Sequence, residues 1–237
     1  THCISSAASD VYKRQVIWDR AGIGLICWPI RQRAGVWCRW MFVVSQDIHW
    51  MVIEKSAAIL LKDILSAGAL DGPDQLFFKD VYLDVYTLVE LVAGLDFVDE
   101  NRLSSFGGSQ GGALALVAAS LNSRIKQTVA IYPFLADFRR VLEIGNTSEA
   151  YDELFRYFKF HDPFHETEEQ LLQTLAYIDV KNLAHRISCP VQMIIGLEDD
   201  VCYPITQFAI YNCLAGEKEY HLLPEYGHEA VSYTHLR

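Results

Sequence analysis

The alternation of apolar and polar residues becomes regular from Asp71 onward and predicts strands that alternate with helices. Residues 75–93 place apolar side chains at helical spacing, which indicates an amphipathic helix. Further elements are predicted as strands at 102–106, 125–131, 191–195 and 220–223, and as helices at 110–121 and 205–214. A long helical region, residues 135–186, interrupts this rhythm. Strands that alternate with helices favour an α/β fold with a mainly parallel sheet.

The segment before residue 71 differs from the rest of the chain in hydrophobic pattern, tryptophan content and charge. Between Val16 and Trp50 the pattern shows neither strand alternation nor a capped helix. All five tryptophans lie in the first fifty residues. The first 60 residues carry 7 basic and 4 acidic side chains, whereas the remaining 177 carry 13 and 26.

The change in composition near residue 70, together with the unusual sequences at both ends, divides the chain into four parts. Residues 1–15 and 231–237 resemble translated cloning-adapter sequence. We hypothesise that residues 16–70 were translated out of frame, which leaves 71–230 as the structural core. That core supplies about four strands, so a central strand would lack neighbours that an upstream segment normally provides.

Composition narrows the class of protein. A formal net charge of −10 argues against nucleic acid or an anionic membrane as a partner. The six cysteines form no C-x-x-C pair, so neither a disulfide framework nor a zinc site is expected, and reduced thiols suit the cytoplasm. No secretory signal is visible, and the most apolar stretch, residues 21–30, is too short to span a bilayer. We expect a soluble, cytoplasmic protein.

A glycine-rich turn carries the strongest chemical signal. Gly107-Gly108-Ser109-Gln110-Gly111-Gly112 lies between a predicted strand and a predicted helix, which is the context of a nucleophile elbow. Gly107 and Gly111 would let the strand and helix backbones approach without a Cβ clash. The Gln110 N–H, at the start of the helix, is a candidate oxyanion donor. The alternative, a phosphate-binding loop, is disfavoured because no Lys-Ser/Thr follows the glycines.

A serine nucleophile needs a base and an acid, and after a nucleophile elbow the acid comes first along the chain and the histidine second. Asp199 and Asp200 come directly after the strand at 191–195, and both remain candidates for the acid. The other interpretation of this turn is a solvated acidic loop. Among eight histidines, His228 is selected as the base because it follows the last strand, whereas His221 lies within it and is expected to be packed or hydrogen-bonded.

Several blocks together resemble the cephalosporin C deacetylase and acetyl xylan esterase family of α/β-hydrolases. The similarity covers residues 71–230 through FFKDVYLDVYTLVELV, GGSQGGALALVAASL, YPFLADFRRV, YIDVKNLAHRISCPV, GLEDDVC and YGHE. The resemblance selects Asp199 over Asp200 as the acid and matches Ser109 and His228 to the nucleophile and base. It implies removal of short acyl groups, chiefly acetyl, from sugars or similar alcohols. It also implies a homo-oligomer and a reaction that requires no metal and no organic cofactor.

The chain departs from the family pattern at three places. Tyr203 replaces the first of two usual prolines, and Ile205 stands where a small residue is usual. The family's upstream His-Gly-Tyr turn, which supplies a second oxyanion donor, is not found. Ser45-Gln46-Asp47 weakly resembles the family's loop after the next strand. The final helix beyond His228 is also missing. Two alternatives stay open, namely a serine peptidase of the prolyl oligopeptidase type and a non-catalytic hydrolase-like fragment.

Overall fold

The computed structural model describes residues 69–228, apart from residues 97 and 149, and the backbone of five short strands nearer the N-terminus. These are β1 Gln15–Trp18, β2 Gly24–Cys27, β3 Pro29–Arg31, β4 Trp37–Arg39 and β5 Phe42–Val44. Strand β1 pairs antiparallel with β2, and β3 with β4. The sequence shows no alternation over these strands, because strands of three or four residues are too short to show a period of two. Residues 45–47 and the two terminal tails, apart from Gln15, lie outside the described residues.

The elements predicted from residue 71 onward are confirmed, with bounds that shift by at most two residues. The four strands are β6 Leu103–Gly108, β7 Ile125–Ile131, β8 Val191–Gly196 and β9 Lys218–Leu223. The helices outside the helical region are α1 Phe77–Ala93, α2 Gln110–Leu121 and α7 Pro204–Cys213.

One five-stranded sheet positions the site, in the order β5-β6-β7-β8-β9. Strands β6 to β9 are parallel, and β5 joins the edge antiparallel to β6, pairing Phe42 with Phe106. The expected four-stranded core therefore gains a fifth strand. As a result β6, which leads into the glycine-rich turn, has a neighbour on each side.

Helix α2, which begins directly after Ser109, anchors the glycine-rich turn in the core. All ten residues from Gly111 to Ser120 are buried, and the helix packs across β6 and β7. Helix α1 covers α2 with a single apolar face, which includes Phe78, Val85 and Val89. A helix that is apolar on all sides, such as α2, is buried inside the protein. A helix with one apolar face, such as α1, lies at the surface.

The predicted helical region between β7 and β8 is also confirmed. It contains α3 Phe138–Ile144, α4 Asp152–Phe160, α5 Glu168–Leu175, α6 Val180–Leu183 and a 3-10 turn at Ala184–Arg186. One hydrogen bond closes the region on itself, from the Val180 N–H to Leu135 O (2.9 Å), and another joins it to α1, from the Tyr82 hydroxyl to Ile178 O (2.7 Å). None of the helices between residues 69 and 228 combines the length and apolar character needed to cross a bilayer.

Candidate active site

Ser109 occupies a strained turn between β6 and α2. Its φ of 56° and ψ of −122° lie where a side chain is disfavoured. Three backbone hydrogen bonds hold this conformation. The Ser109 N–H donates to Ile131 O (2.9 Å), while its carbonyl accepts from Ala113 N and Phe134 N (both 3.1 Å). The neighbouring strand, the following helix and the loop after β7 thus fix the turn together.

The glycines around Ser109 permit a close approach of backbones. A Cβ built on Gly107 would lie 2.1 Å from Gly111 O, and one on Gly112 would lie 2.9 Å from Ile131 O. Separations below 3.0 Å cannot be accommodated against backbone atoms. This is the close approach for which the sequence predicted small residues at Gly107 and Gly111.

His228 bridges the two other residues that the sequence singled out. Its Nε2 lies 2.8 Å from Ser109 Oγ, and its Nδ1 lies 3.1 and 3.0 Å from the two carboxylate oxygens of Asp199. Because a carboxylate can only accept, Nδ1 carries the proton and Nε2 accepts from the serine hydroxyl. The Asp199 side chain is fully buried and that of His228 is 16% exposed. The structure therefore brings Ser109, His228 and Asp199 into one hydrogen-bonded chain.

The structure also separates the two candidate acids. Asp199 is buried, and its Oδ1 accepts hydrogen bonds from Val201 N (3.0 Å) and Cys202 N (2.7 Å). Asp200, the next residue, is exposed. The turn that follows β8 therefore directs the first carboxylate towards His228 and the second towards solvent.

The loops that carry Asp199 and His228 are joined through their backbones. A Cβ on Gly196 would lie 2.5 Å from Tyr226 O, so the end of β8 touches the loop after β9. The Glu198 N–H donates to Tyr226 O and the Leu197 N–H to Leu223 O, each at 3.1 Å. The separation between the carboxylate and the imidazole is thus set by main-chain contacts.

Three residues around the triad were not singled out by the sequence analysis. The Tyr132 ring, at the end of β7, lies 4.5 Å from the His228 ring at an interplanar angle of 55°. Gln207 on α7 donates to Asp199 (3.1 Å). Cys202 is fully buried, and its backbone N–H donates to Asp199 Oδ1 (2.7 Å). Tyr132 and Cys202 lie in two of the blocks that carry the family resemblance, whereas Gln207 lies in none of them.

The Cys202 thiol is unreactive as a nucleophile, although it lies beside the acid turn. Burial raises the pKa of this thiol well above its usual range, and the negative charge of Asp199 raises the pKa further. The thiol therefore stays protonated at neutral pH, and a protonated thiol is a poor nucleophile.

Gln110, the predicted oxyanion donor, directly follows Ser109 at the start of α2. It is the first residue of α2, so no carbonyl within the helix accepts its N–H, and the helix N-terminus favours negative charge. The side chains before residue 69, where a second donor was sought, lie outside the described residues. Within residues 69–228, no three His, Cys, Asp or Glu side chains form a group that could hold a metal ion.

Comparisons with known proteins agree with this geometry. The sequence profile of the acetyl xylan esterase (AXE1) family matches residues 26–235. The acetyl xylan esterase 1 of Thermoanaerobacterium sp. superposes with a TM-score of 0.71 at 40% identity, covering 74% of this chain and 56% of that enzyme. The acetyl xylan esterase of Paenibacillus sp. R4 gives a TM-score of 0.69 at 44% identity, covering 72% and 53%.

A curated relative points the same way. The chain is 34% identical over 167 residues to the acetyl esterase Axe7A of Xylanibacter ruminicola, which is 70% of this chain and 36% of that protein. The chain thus spans about half the length of the two solved enzymes and about a third of Axe7A. Its fold is that of the α/β-hydrolases, as predicted. On the extent of the profile match, the chain belongs to the acetyl xylan esterase family.

Proposed function

We propose that this protein is a serine carboxylesterase that removes acetyl and other short acyl groups from sugars or similar alcohols. The observation that carries the proposal is the placement of His228 between Ser109 and a buried Asp199. Family membership supports acetyl as the acyl group. The acetyl ester of cephalosporin C belongs among the substrates to be compared, because the sequence resembles the deacetylases of that compound.

The first half of the reaction transfers the acyl group to the enzyme. Ser109 Oγ attacks the ester carbonyl while His228 Nε2 takes the hydroxyl proton, and Asp199 holds the imidazole and stabilises its charged form. The carbonyl oxygen becomes an oxyanion, to which the Gln110 N–H donates. The imidazolium then gives its proton to the departing alcohol as the ester C–O bond breaks.

The second half releases the acid. A water molecule attacks the Ser109 ester while His228 again accepts a proton, and the tetrahedral intermediate is stabilised by the same donor. Collapse of that intermediate returns the proton to Ser109 Oγ and frees the carboxylic acid. Each proton transfer in both halves runs between Ser109 or a reacting oxygen and His228, which Asp199 holds by a hydrogen bond.

Two substrates and one variant separate this proposal from its alternatives. We expect release of p-nitrophenol from p-nitrophenyl acetate, loss of that activity in Ser109→Ala, and no cleavage of a proline p-nitroanilide. Cleavage of the proline amide in preference to the ester would favour a peptidase of the prolyl oligopeptidase type. Activity on neither, in a folded preparation, would favour a non-catalytic hydrolase-like protein.

A further inference from the structure

Gln207 is a buried amide in contact with the acid of the triad. It lies on α7, eight residues after Asp199, and its side chain is fully buried. Its Nε2 donates to Asp199 Oδ2 (3.1 Å) and to Cys202 O (2.6 Å). The amide therefore ties the acidic side chain to the backbone of the turn that presents it.

The orientation of the Gln207 amide leaves one of its polar atoms without a hydrogen bond. Gln207 Oε1 is buried and has no hydrogen-bond partner among the described residues. Turning the amide over would bring that oxygen against two acceptors, Asp199 Oδ2 and Cys202 O, and would leave the carboxylate without this donor. Because an unpartnered buried carbonyl is unfavourable, the interaction with the carboxylate outweighs that loss.

The two oxygens of Asp199 are held in different ways. Oδ1 accepts from two backbone N–H groups of its own turn, those of Val201 and Cys202. The His228 Nδ1–H lies within reach of both oxygens, and within the described part of the chain Oδ2 also accepts from Gln207. Gln207 on Oδ2 and the two backbone donors on Oδ1 together set the rotation of the carboxylate plane relative to the imidazole.

We infer that Gln207 is a positioning residue, which holds the Asp199 carboxylate in the orientation that binds His228. This inference rests on the proposed function, in which Asp199 acts through His228. It assigns the loss on removal of Gln207 to the chemical steps rather than to substrate binding.

The kinetic test compares Gln207→Leu with Thr206→Val. Thr206 is the adjacent buried residue of α7, and its hydroxyl donates to Tyr203 O rather than to Asp199. We expect Gln207→Leu to lower kcat for p-nitrophenyl acetate by about 10-fold to 100-fold with KM nearly unchanged, as for loss of a hydrogen bond to a charged group. Thr206→Val should retain kcat, and equal losses in both variants would overturn the inference.

A second variant pair tests whether Gln207 acts through Asp199. In an Asp199→Asn background, Gln207→Leu should change kcat by less than about twofold, because residues that act as one unit are not additive. A loss as large as in the parent background would show that Gln207 acts elsewhere, and the inference would fail.

A spectroscopic readout separates this inference from the proposed function. In protein with isotope-labelled histidine, the Nδ1–H proton of His228 reports its hydrogen bond to Asp199 and needs no substrate. We expect this resonance to move upfield or broaden in Gln207→Leu and to stay in place in Thr206→Val. An unchanged resonance in Gln207→Leu would overturn the positioning role. If the parent cleaves no ester but the resonance still moves, the esterase proposal fails while the positioning role stands.

Discussion

The carboxyl edge of the sheet and the helical region from Phe138 to Arg186 are built on different principles. At the edge, backbones approach so closely that a Cβ on Gly107 or Gly196 would lie 2.1 or 2.5 Å from a carbonyl oxygen. The helical region instead exposes aromatic side chains, with Phe160 at 64% and Phe164 at 85% exposure. The edge is therefore held together by main-chain contacts, whereas the helical region presents aromatic side chains at the surface.

The two regions meet at the turn that carries the acid. In the loop between α3 and α4, the Asn146 side-chain amide and the Ser148 hydroxyl both donate to Val201 O at 3.0 Å. Phe134, whose backbone N–H donates to Ser109 O, packs its ring on Tyr151 at a centroid distance of 4.9 Å. The helical region thus supports the site at two points, although the residues assigned to the chemistry all lie on the sheet edge.

The largest effect should come from the acid itself. Asp199→Asn should lower kcat by on the order of 10⁴, because the imidazole loses the partner that fixes its tautomer. Asp200→Asn is the matched control and should have little effect, since that side chain is exposed. Initial rates with p-nitrophenyl acetate distinguish the two, and a larger loss in Asp200→Asn would overturn the assignment of the acid.

The backbone contact at the elbow should be the next most sensitive. Gly107→Ala places a methyl group against Gly111 O and should lower the free energy of unfolding by about 3 kcal/mol or more, with loss of activity. Gly216→Ala is the control, because its Cβ would meet nothing closer than 3.5 Å. Urea denaturation of the two variants measures the difference. Similar stabilities would mean that the elbow can relax, contrary to a site fixed by its main chain.

A buried carboxyl in the helical region should make stability depend on pH. Burial raises the pKa of Asp179 from 3.8 to about 6. The folded state therefore keeps this proton where the unfolded chain releases it, and stability falls as pH rises from about 4 to about 6. Relative to Asp179→Asn, the parent should lose on the order of 2 to 3 kcal/mol of unfolding free energy across that window.

Urea denaturation at several pH values checks this expectation. Asp152→Asn, on the exposed first turn of α4, is the control and should follow the parent curve. Parallel curves for the parent and Asp179→Asn would show that Asp179 titrates alike in both states.

The smallest expected effect concerns acyl length. If the helical region forms the wall of a small acyl pocket, p-nitrophenyl acetate should have a kcat/KM about tenfold or more above that of the octanoate ester. Comparable values on both esters would indicate an open, lipase-like site. Ile205, about half exposed on the first turn of α7, is the residue to shorten first, and Ile205→Ser should raise the relative rate on the longer ester if this side chain narrows the pocket.

Sequence reasoning succeeded where local chemistry dictates structure. The Gly-Gly-Ser-Gln-Gly-Gly turn and the fully apolar α2 can serve few other arrangements, and both lie where they were expected. The position of His228 followed from chain order after the last strand. Asp199 and Asp200 could not be separated by residue type, because only the path of the turn after β8 decides which carboxylate is buried.

Other parts of the site could not be predicted because they arise from contacts distant in the sequence. Gln207 occupies an ordinary helical position, and its role depends on how α7 packs beside the acid turn. The pairing of β5 with β6 joins segments about sixty residues apart through a strand of three residues. Such a short strand has no periodicity to detect, and the hypothesis that residues 16–70 were translated out of frame stays a prediction.

The central claim is that Ser109 carries the acyl group, and acyl trapping tests it most directly. The protein would be mixed with p-nitrophenyl acetate, quenched in acid during turnover, digested and analysed by mass spectrometry. We predict one acetyl group on the peptide that contains Ser109, and none in Ser109→Ala. Sustained ester turnover with the acetyl group on Cys202 or His228 would contradict the claim. Turnover by the parent with no acetylated peptide at all would contradict it as well.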